Sequence, residues 1–205
     1  MSSIYRQANF LLGVASLSQI PPDTGREVAF AGRSNAGKSS ALNSITDQRS
    51  LARTSKTPGR TQQMNYFSLP GEHYLVDLPG YGYAKVPIKV SKRWQEEIGR
   101  YLRSRQSLQG LIIVMDCRHP LKEYDCQLLD WCFDAQLPAH ILLSKADKLS
   151  RGAAAATLQK TRNELRHAYP DDHLPTAQLF SALKKTGLDE VRARLDEWIF
   201  DSTTE

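Results

Sequence analysis

The sequence predicts an α/β fold in three layers, a mostly parallel, doubly wound sheet with one antiparallel strand and helices on both faces. Three observations predict it. Apolar runs of strand length alternate with stretches of helical periodicity from residue 25 onward, the pattern of parallel strands joined by crossover helices. Runs such as Leu111-Ile112-Ile113-Val114-Met115 are continuously apolar rather than alternating, as strands covered on both faces are. The apolar stretches 64–69 and 73–76 are separated by Pro70-Gly71, a turn pair that makes them a hairpin and supplies the antiparallel strand.

In chain order, the run Phe10-Leu11-Leu12-Gly13-Val14-Ala15 is too short for a signal peptide. It has little positive charge before it and leads into Ile20-Pro21-Pro22 without a small-residue cleavage site. Residues 1–24 are therefore expected to pack on the surface of a single domain spanning 25–205. Val28-Ala29-Phe30-Ala31 is a strand, and Ser40-Ala41-Leu42-Asn43-Ser44-Ile45 continues as a helix after a glycine loop. Residues 49–63 are polar, contain breakers and lack apolar periodicity, so they read as a mobile loop. After the hairpin, Tyr81-Gly82-Tyr83-Ala84 is too glycine-rich for regular structure. Residues 91–106 place Trp94, Ile98, Tyr101 and Leu102 at helical spacing. Residues 121–133 form a helix, His140-Ile141-Leu142-Leu143 a buried strand, 153–169 a helix, Gln178-Leu179-Phe180 a short strand and 188–200 a final amphipathic helix. No internal repeat occurs.

A chain of 205 residues, 40% hydrophobic and 24% charged, can bury one sizeable core. No stretch approaches the roughly 20 apolar residues of a membrane span, so no membrane association is expected. Cys117, Cys126 and Cys132 form no C-x-x-C pair, and His119 and His140 nearby lack ligand spacing. They read as buried, reduced thiols of a cytoplasmic protein. A formal net charge of +5 and a pI near 9.1 point to an anionic partner larger than a nucleotide.

The chemistry is carried by four motifs, each at the end of an expected strand. Gly32-Arg33-Ser34-Asn35-Ala36-Gly37-Lys38-Ser39 matches the phosphate-loop pattern G-x-x-x-x-G-K-[ST] between strand and helix. Gly32 and Gly37 let the backbone turn tightly. The loop N–H groups and the helix N-terminus then face an anion. Lys38 would neutralise β- and γ-phosphates, and the Ser39 hydroxyl would bind Mg²⁺. Asp77-Leu78-Pro79-Gly80 offers a carboxylate to the Mg²⁺ shell and a backbone N–H to the γ-phosphate. In Ser144-Lys145-Ala146-Asp147 the aspartate can accept two hydrogen bonds from guanine, a pair adenine lacks, while the Lys145 stem covers the base. Ser181-Ala182-Leu183 would lend N–H groups to the guanine carbonyl. Together these predict a P-loop G domain that binds GTP and GDP. An ATP-dependent kinase is disfavoured by Lys145-Ala146-Asp147.

Beyond the superfamily pattern, Gly32 to Ser40, Thr57-Pro58-Gly59-Arg60-Thr61-Gln62, Asp77-Leu78-Pro79-Gly80-Tyr81-Gly82-Tyr83-Ala84 and Lys145-Ala146-Asp147 resemble the EngB family of bacterial GTP-binding proteins over nearly the whole chain. The resemblance implies a nucleotide site made of Gly32, Arg33, Ser34, Asn35, Ala36, Gly37, Lys38, Ser39, Ser40, Gly59, Arg60, Thr61, Gln62, Gln63, Asp77, Leu78, Pro79, Gly80, Ser144, Lys145, Ala146, Asp147, Phe180, Ser181 and Ala182. It implies Thr61 as the switch threonine that joins Ser39 on Mg²⁺, with Lys38 and Thr61 as the catalytic residues. Ser144 stands where the family usually has threonine. The implied activity is a slow GTPase needed for assembly of the large ribosomal subunit and for normal septation. A GTP-dependent septation adaptor that binds division proteins is the alternative. A G domain acting in tRNA modification is disfavoured.

Ras-like enzymes place a water-orienting glutamine directly after D-x-x-G, where this chain has Tyr81. With Asn35 in the phosphate loop, that substitution resembles a group of G domains activated by K⁺ near the asparagine. Asn35 as a cap of its own loop is the other reading. Lys85, Lys89, Lys92, Arg93, Arg100, Arg103 and Arg105 cluster after the aspartate motif, either as an ordinary solvated face or as a contact surface for rRNA or a large-subunit precursor. A monomer is expected.

Overall fold

The computed structural model describes residues 2–52, 63–82 and 88–200. Seven strands form one sheet in the order β1-β3-β4-β2-β5-β6-β7, with β1 Asn9–Val14, β2 Arg26–Gly32, β3 Met64–Leu69, β4 His73–Asp77, β5 Leu108–Asp116, β6 Ala139–Ser144 and β7 Thr176–Leu179. β3 is antiparallel to both of its neighbours and every other pairing is parallel, so a single strand runs against the rest. The helices are α1 Ser2–Tyr5, α2 Lys38–Ile45, α3 Ile88–Ser104, α4 Glu123–Asp134, α5 Arg151–Ala168 and α6 Leu188–Phe200. No described helix is long and apolar enough to cross a membrane.

The continuously apolar strands divide their side chains between two cores. Ala29, Ala31, Leu111, Ile113, Met115, Ile141 and Leu143 face α3, α4 and α5, where they meet Tyr101, Leu102, Leu128, Leu129 and Leu165. The alternate residues Val28, Phe30, Ile112, Val114 and Leu142 face α2 and α6 and meet Leu42, Ile45, Val191 and Leu195. Strand side chains alternate with a period of two, so a strand between two helical layers must be apolar at every position.

The segment before residue 25 takes a more definite form than surface packing. Residues 9–14 pair with β3 as an edge strand, with the register shifting between Phe10 and Leu12. Its residues are largely exposed, so the segment carries little of the burial pattern that marks a strand in sequence. Its identity comes from the partner, 50 or more residues away by the paired numbers Val14 and Met64.

At the sheet edge opposite the phosphate loop, one residue of the expected basic face is turned inward. The Arg105 side chain is 4% exposed, and Glu27 beside it is wholly buried. Arg105 Nε donates to Glu27 Oε1 at 2.7 Å, its other nitrogens donate to the carbonyls of Pro21 and Pro22, and the Tyr101 hydroxyl donates to the same Glu27 oxygen at 2.9 Å. Arg105 is thus part of the core that ties α3 to β2. Arg100 and Arg103 are exposed as expected. Lys85 lies outside the described residues, as do the side chains of Lys89, Lys92 and Arg93.

The three cysteines form no disulfide. Cys117 and Cys132 are buried, and burial raises both thiols, Cys132 to about 12. No group of three metal-ligating side chains occurs among the described residues.

Candidate functional site

The described motif residues meet along one edge, at the C-terminal ends of β2, β4, β6 and β7. This is where a doubly wound sheet opens a crevice for a ligand. β2 ends at Gly32, and the chain turns through Arg33 to Gly37 before α2 begins at Lys38. Asn35 takes a left-handed φ of 64° and Gly37 one of 101°, the second a conformation that side chains rarely adopt. Gly37 is the N-cap of α2 and its carbonyl accepts from Ala41 N at 2.9 Å. The loop is therefore set at a helix N-terminus, where free N–H groups and the helix dipole favour an anion. Asn35 is exposed, and its side chain hydrogen-bonds to no other described residue.

The Lys38 ammonium is in direct contact with Asp77 Oδ1, and both side chains are about one-tenth exposed, at 11% and 10%. The start of α2, where Ser39 carries a hydroxyl, thus faces the end of β4, where Asp77 carries a carboxylate. These are hard oxygen donors of the kind Mg²⁺ takes.

Beyond Asp77, Leu78 donates its N–H to the Phe30 carbonyl at 2.9 Å and buries its side chain in the core, so it offers no side chain to the site. Tyr81 is more firmly placed than a glycine-rich stretch suggests. Its N–H reaches the Gly32 carbonyl at 3.4 Å, its carbonyl accepts from Ser34 N at 2.9 Å, and its hydroxyl donates to Asp125 of α4 at 2.6 Å. Burial holds the Tyr81 phenol well above its ordinary value, with Asp125 adding to the effect. A hydroxyl committed to α4 is not a water-positioning group.

At the end of β6, Ser144 is 3% exposed and its hydroxyl donates to the Ala36 carbonyl. It ties the base-recognition segment to the phosphate loop rather than presenting itself to a ligand. Lys145 takes a left-handed φ of 57°, and its ammonium donates to the Asn35 carbonyl at 2.5 Å. The same ammonium pairs with Asp116 at 3.0 Å. Asp116 ends β5 and is gripped by Arg118 through bonds of 2.9 and 2.7 Å. Arg118 first, and then Lys145, hold its carboxyl well below the usual carboxylate range. Sequence reasoning passed over Asp116, although a lone carboxylate closing the apolar run 111–115 at the ligand edge is a usable signal.

Asp147 Oδ1 accepts from the Ser181 hydroxyl at 2.6 Å, which holds the Asp147 carboxyl below its ordinary range. Ala146 N donates to the Phe180 carbonyl at 3.1 Å, while the Phe180 side chain lies in the core. The structure therefore brings together the phosphate loop, Asp77, the segment 144–147 and Ser181-Ala182. Gly59, Arg60, Thr61 and Gln62 lie outside the described residues, and Gln63 precedes β3 half-buried.

A family model described as 50S ribosome-binding GTPase matches residues 27–145. A protein of Nitrosococcus oceani named probable GTP-binding protein EngB is 52% identical over 199 residues, covering 97% of this chain and 98% of its own. Its namesake from Coxiella burnetii is 55% identical over 194 residues, covering 95% and 93%. Among solved structures, the crystal structure of a probable GTP-binding protein EngB superposes with a TM-score of 0.68 at 20% identity, over 84% of this chain and 98% of the other.

Proposed function

Because the chain belongs to the EngB family of GTP-binding proteins and is a GTPase, we propose that it acts as a slow, Mg²⁺-dependent, cytoplasmic switch in assembly of the large ribosomal subunit. Normal septation and cell division would depend on that step. The observation that carries the reading is the convergence on one sheet edge of Lys38 at the start of α2, Asp77 and the Asp147–Ser181 pair.

Each group has a part. Lys38 and the loop N–H groups take the charge of the β- and γ-phosphates. Asp147 reads the guanine edge, and the Lys145 stem, tethered to Asn35 and Asp116, lies over the base. Ser39 and Thr61 would hold Mg²⁺, which draws charge from the phosphate oxygens when bound. With Tyr81 tied to Asp125, stabilisation of the transition state is mainly electrostatic, and intrinsic hydrolysis is slow.

A partner of the large subunit is supported by the description of the matching family and by the basic charge of the chain. Arg100 and Arg103 are candidate phosphate contacts, and Arg105 is not. The monomer should sediment with large-subunit precursor particles in the presence of a non-hydrolysable GTP analogue and leave them with GDP. Absence from the particles in every nucleotide state would refute this and favour the septation adaptor.

The side chain of Asn35, exposed and without a hydrogen bond to any described residue, supports a K⁺ beside the phosphates rather than a loop cap. A cation there would offset charge that builds up in the transition state. Hydrolysis is expected to run at least several-fold faster in KCl than in NaCl at equal ionic strength, and Asn35→Ala should abolish the difference. Equal rates in both salts would leave Asn35 without that role.

A further inference from the structure

Behind the loop that follows β7 runs a chain of side chains placed to hold it. His140 of β6 and Gln178 of β7 are each 5% exposed. Thr176 stands opposite His140 in the parallel register. Thr176 Oγ1 lies 2.6 Å from His140 Nδ1, His140 Nε2 lies 2.8 Å from Gln178 Oε1, and Gln178 Nε2 donates to the Gly187 carbonyl at 2.7 Å.

For a neutral imidazole, one proton arrangement satisfies all three contacts. The Gly187 carbonyl can only accept, so the amide NH₂ of Gln178 must face it and the amide oxygen must face the histidine. His140 Nε2 then carries the proton, and Nδ1 accepts from the Thr176 hydroxyl. Burial lowers His140 to about 4, so the neutral ring that this requires is the form present near pH 7.

Gly187 is the exit of the loop. It has a φ of +72°, and a Cβ there would stand 2.2 Å from the Leu179 carbonyl and 2.5 Å from Gln178 Nε2. Its carbonyl also accepts from Val191 N at 3.2 Å, in the first turn of α6. The entrance is closed against the exit by Ser181 N donating to the Thr186 carbonyl at 3.1 Å. Between these two points lie Ser181, which holds Asp147, and Ala182.

We propose that Gln178, oriented by His140, is a positioning residue for base specificity, because it anchors Gly187 and so fixes the loop whose N–H groups face the guanine carbonyl. This rests on the guanine reading of the site given above. It separates two components of base recognition. Asp147 reads the exocyclic amine and N1–H from one side, and the anchored loop reads the carbonyl from the other.

The two components can be measured apart with three nucleotides. Inosine diphosphate keeps the carbonyl and N1–H and lacks the amine, while 2-aminopurine riboside diphosphate keeps the amine and lacks both the carbonyl and N1–H. The missing N1–H acts through Asp147 alike in wild type and variant, so a change in this preference between the two proteins reports the carbonyl. Competition against a fluorescent GDP on the full chain gives the preference of GDP over each. In Gln178→Met the preference over the 2-aminopurine nucleotide should narrow about three- to tenfold, the worth of one hydrogen bond. The preference over inosine diphosphate should stay as in the wild type. Gln178→Leu likewise removes the donor at similar size, and should give the same selective narrowing if the methionine variant does not fold. An unchanged 2-aminopurine preference, or both preferences falling together, would overturn the proposal. A wild-type protein with no preference for GDP over either analogue would instead overturn the guanine reading itself.

Discussion

Asp147→Asn is expected to weaken GTP binding by roughly two to three orders of magnitude and to create binding of xanthosine triphosphate. The carboxylate is ionised and oriented, with Oδ1 held by the Ser181 hydroxyl at 2.6 Å. In the variant, the introduced amide can keep its oxygen on Ser181, which leaves its NH₂ to face the base. Of the two acceptors that face guanine N1–H and the exocyclic amine, one thereby becomes a donor that clashes with the base. Hydrogen bonds to a charged group are worth about 1.5–3 kcal/mol each, and each 1.4 kcal/mol is tenfold in affinity. Xanthine carries a carbonyl in place of the amine, so the same NH₂ matches it. Titration of wild type and variant with both nucleotides checks this. Equal GTP affinity in the two proteins would remove Asp147 from the base site.

The second large effect lies far from the nucleotide. Arg105→Ala should destabilise the fold by about 3–5 kcal/mol, because it leaves the wholly buried Glu27 without its cation. Against a typical total of about 5–15 kcal/mol, that is a large share of the stability of the fold. Loss of the ion pair alone does not describe the change, since the guanidinium also holds the Pro21 and Pro22 carbonyls that bring the N-terminal segment onto the domain. Glu27→Gln combined with Arg105→Ala should recover part of the loss, as the uncompensated charge is removed while the Tyr101 hydroxyl keeps an acceptor. Denaturant midpoints of the wild type and both variants measure this. A midpoint unchanged in Arg105→Ala would place Arg105 back on the solvated basic face.

That pair also shows where sequence reasoning reached its limit. Residues 89–105 carry a run of basic side chains at helical spacing, and periodicity treats Arg105 as one more of them. What removes it from the surface is Glu27, a partner 78 residues away on β2. Ser144 repeats the lesson. A hydroxyl beside Lys145-Ala146-Asp147 invites a ligand contact, yet it serves the Ala36 carbonyl 108 residues earlier. Tyr81 in a glycine-rich stretch looks irregular, and its anchor is Asp125, 44 residues on.

Fold class, the reversed strand of the hairpin and the place of the phosphate loop were all legible in the order of residues. These depend on interactions within a few residues, where apolar periodicity, turn pairs and glycine spacing act directly on the backbone. The helix at 188–200 was legible to the residue for the same reason, because its apolar stripe is a local pattern. Packing in three dimensions settled which polar groups at neighbouring strand ends meet: Lys145 with Asp116 and Asn35, Ser181 with Asp147, and Gln178 with His140. Such contacts follow from strand order and register, which bring together residues tens of positions apart. A buried polar side chain takes whichever partner that packing presents, because leaving it unpaired costs more than any local preference can supply.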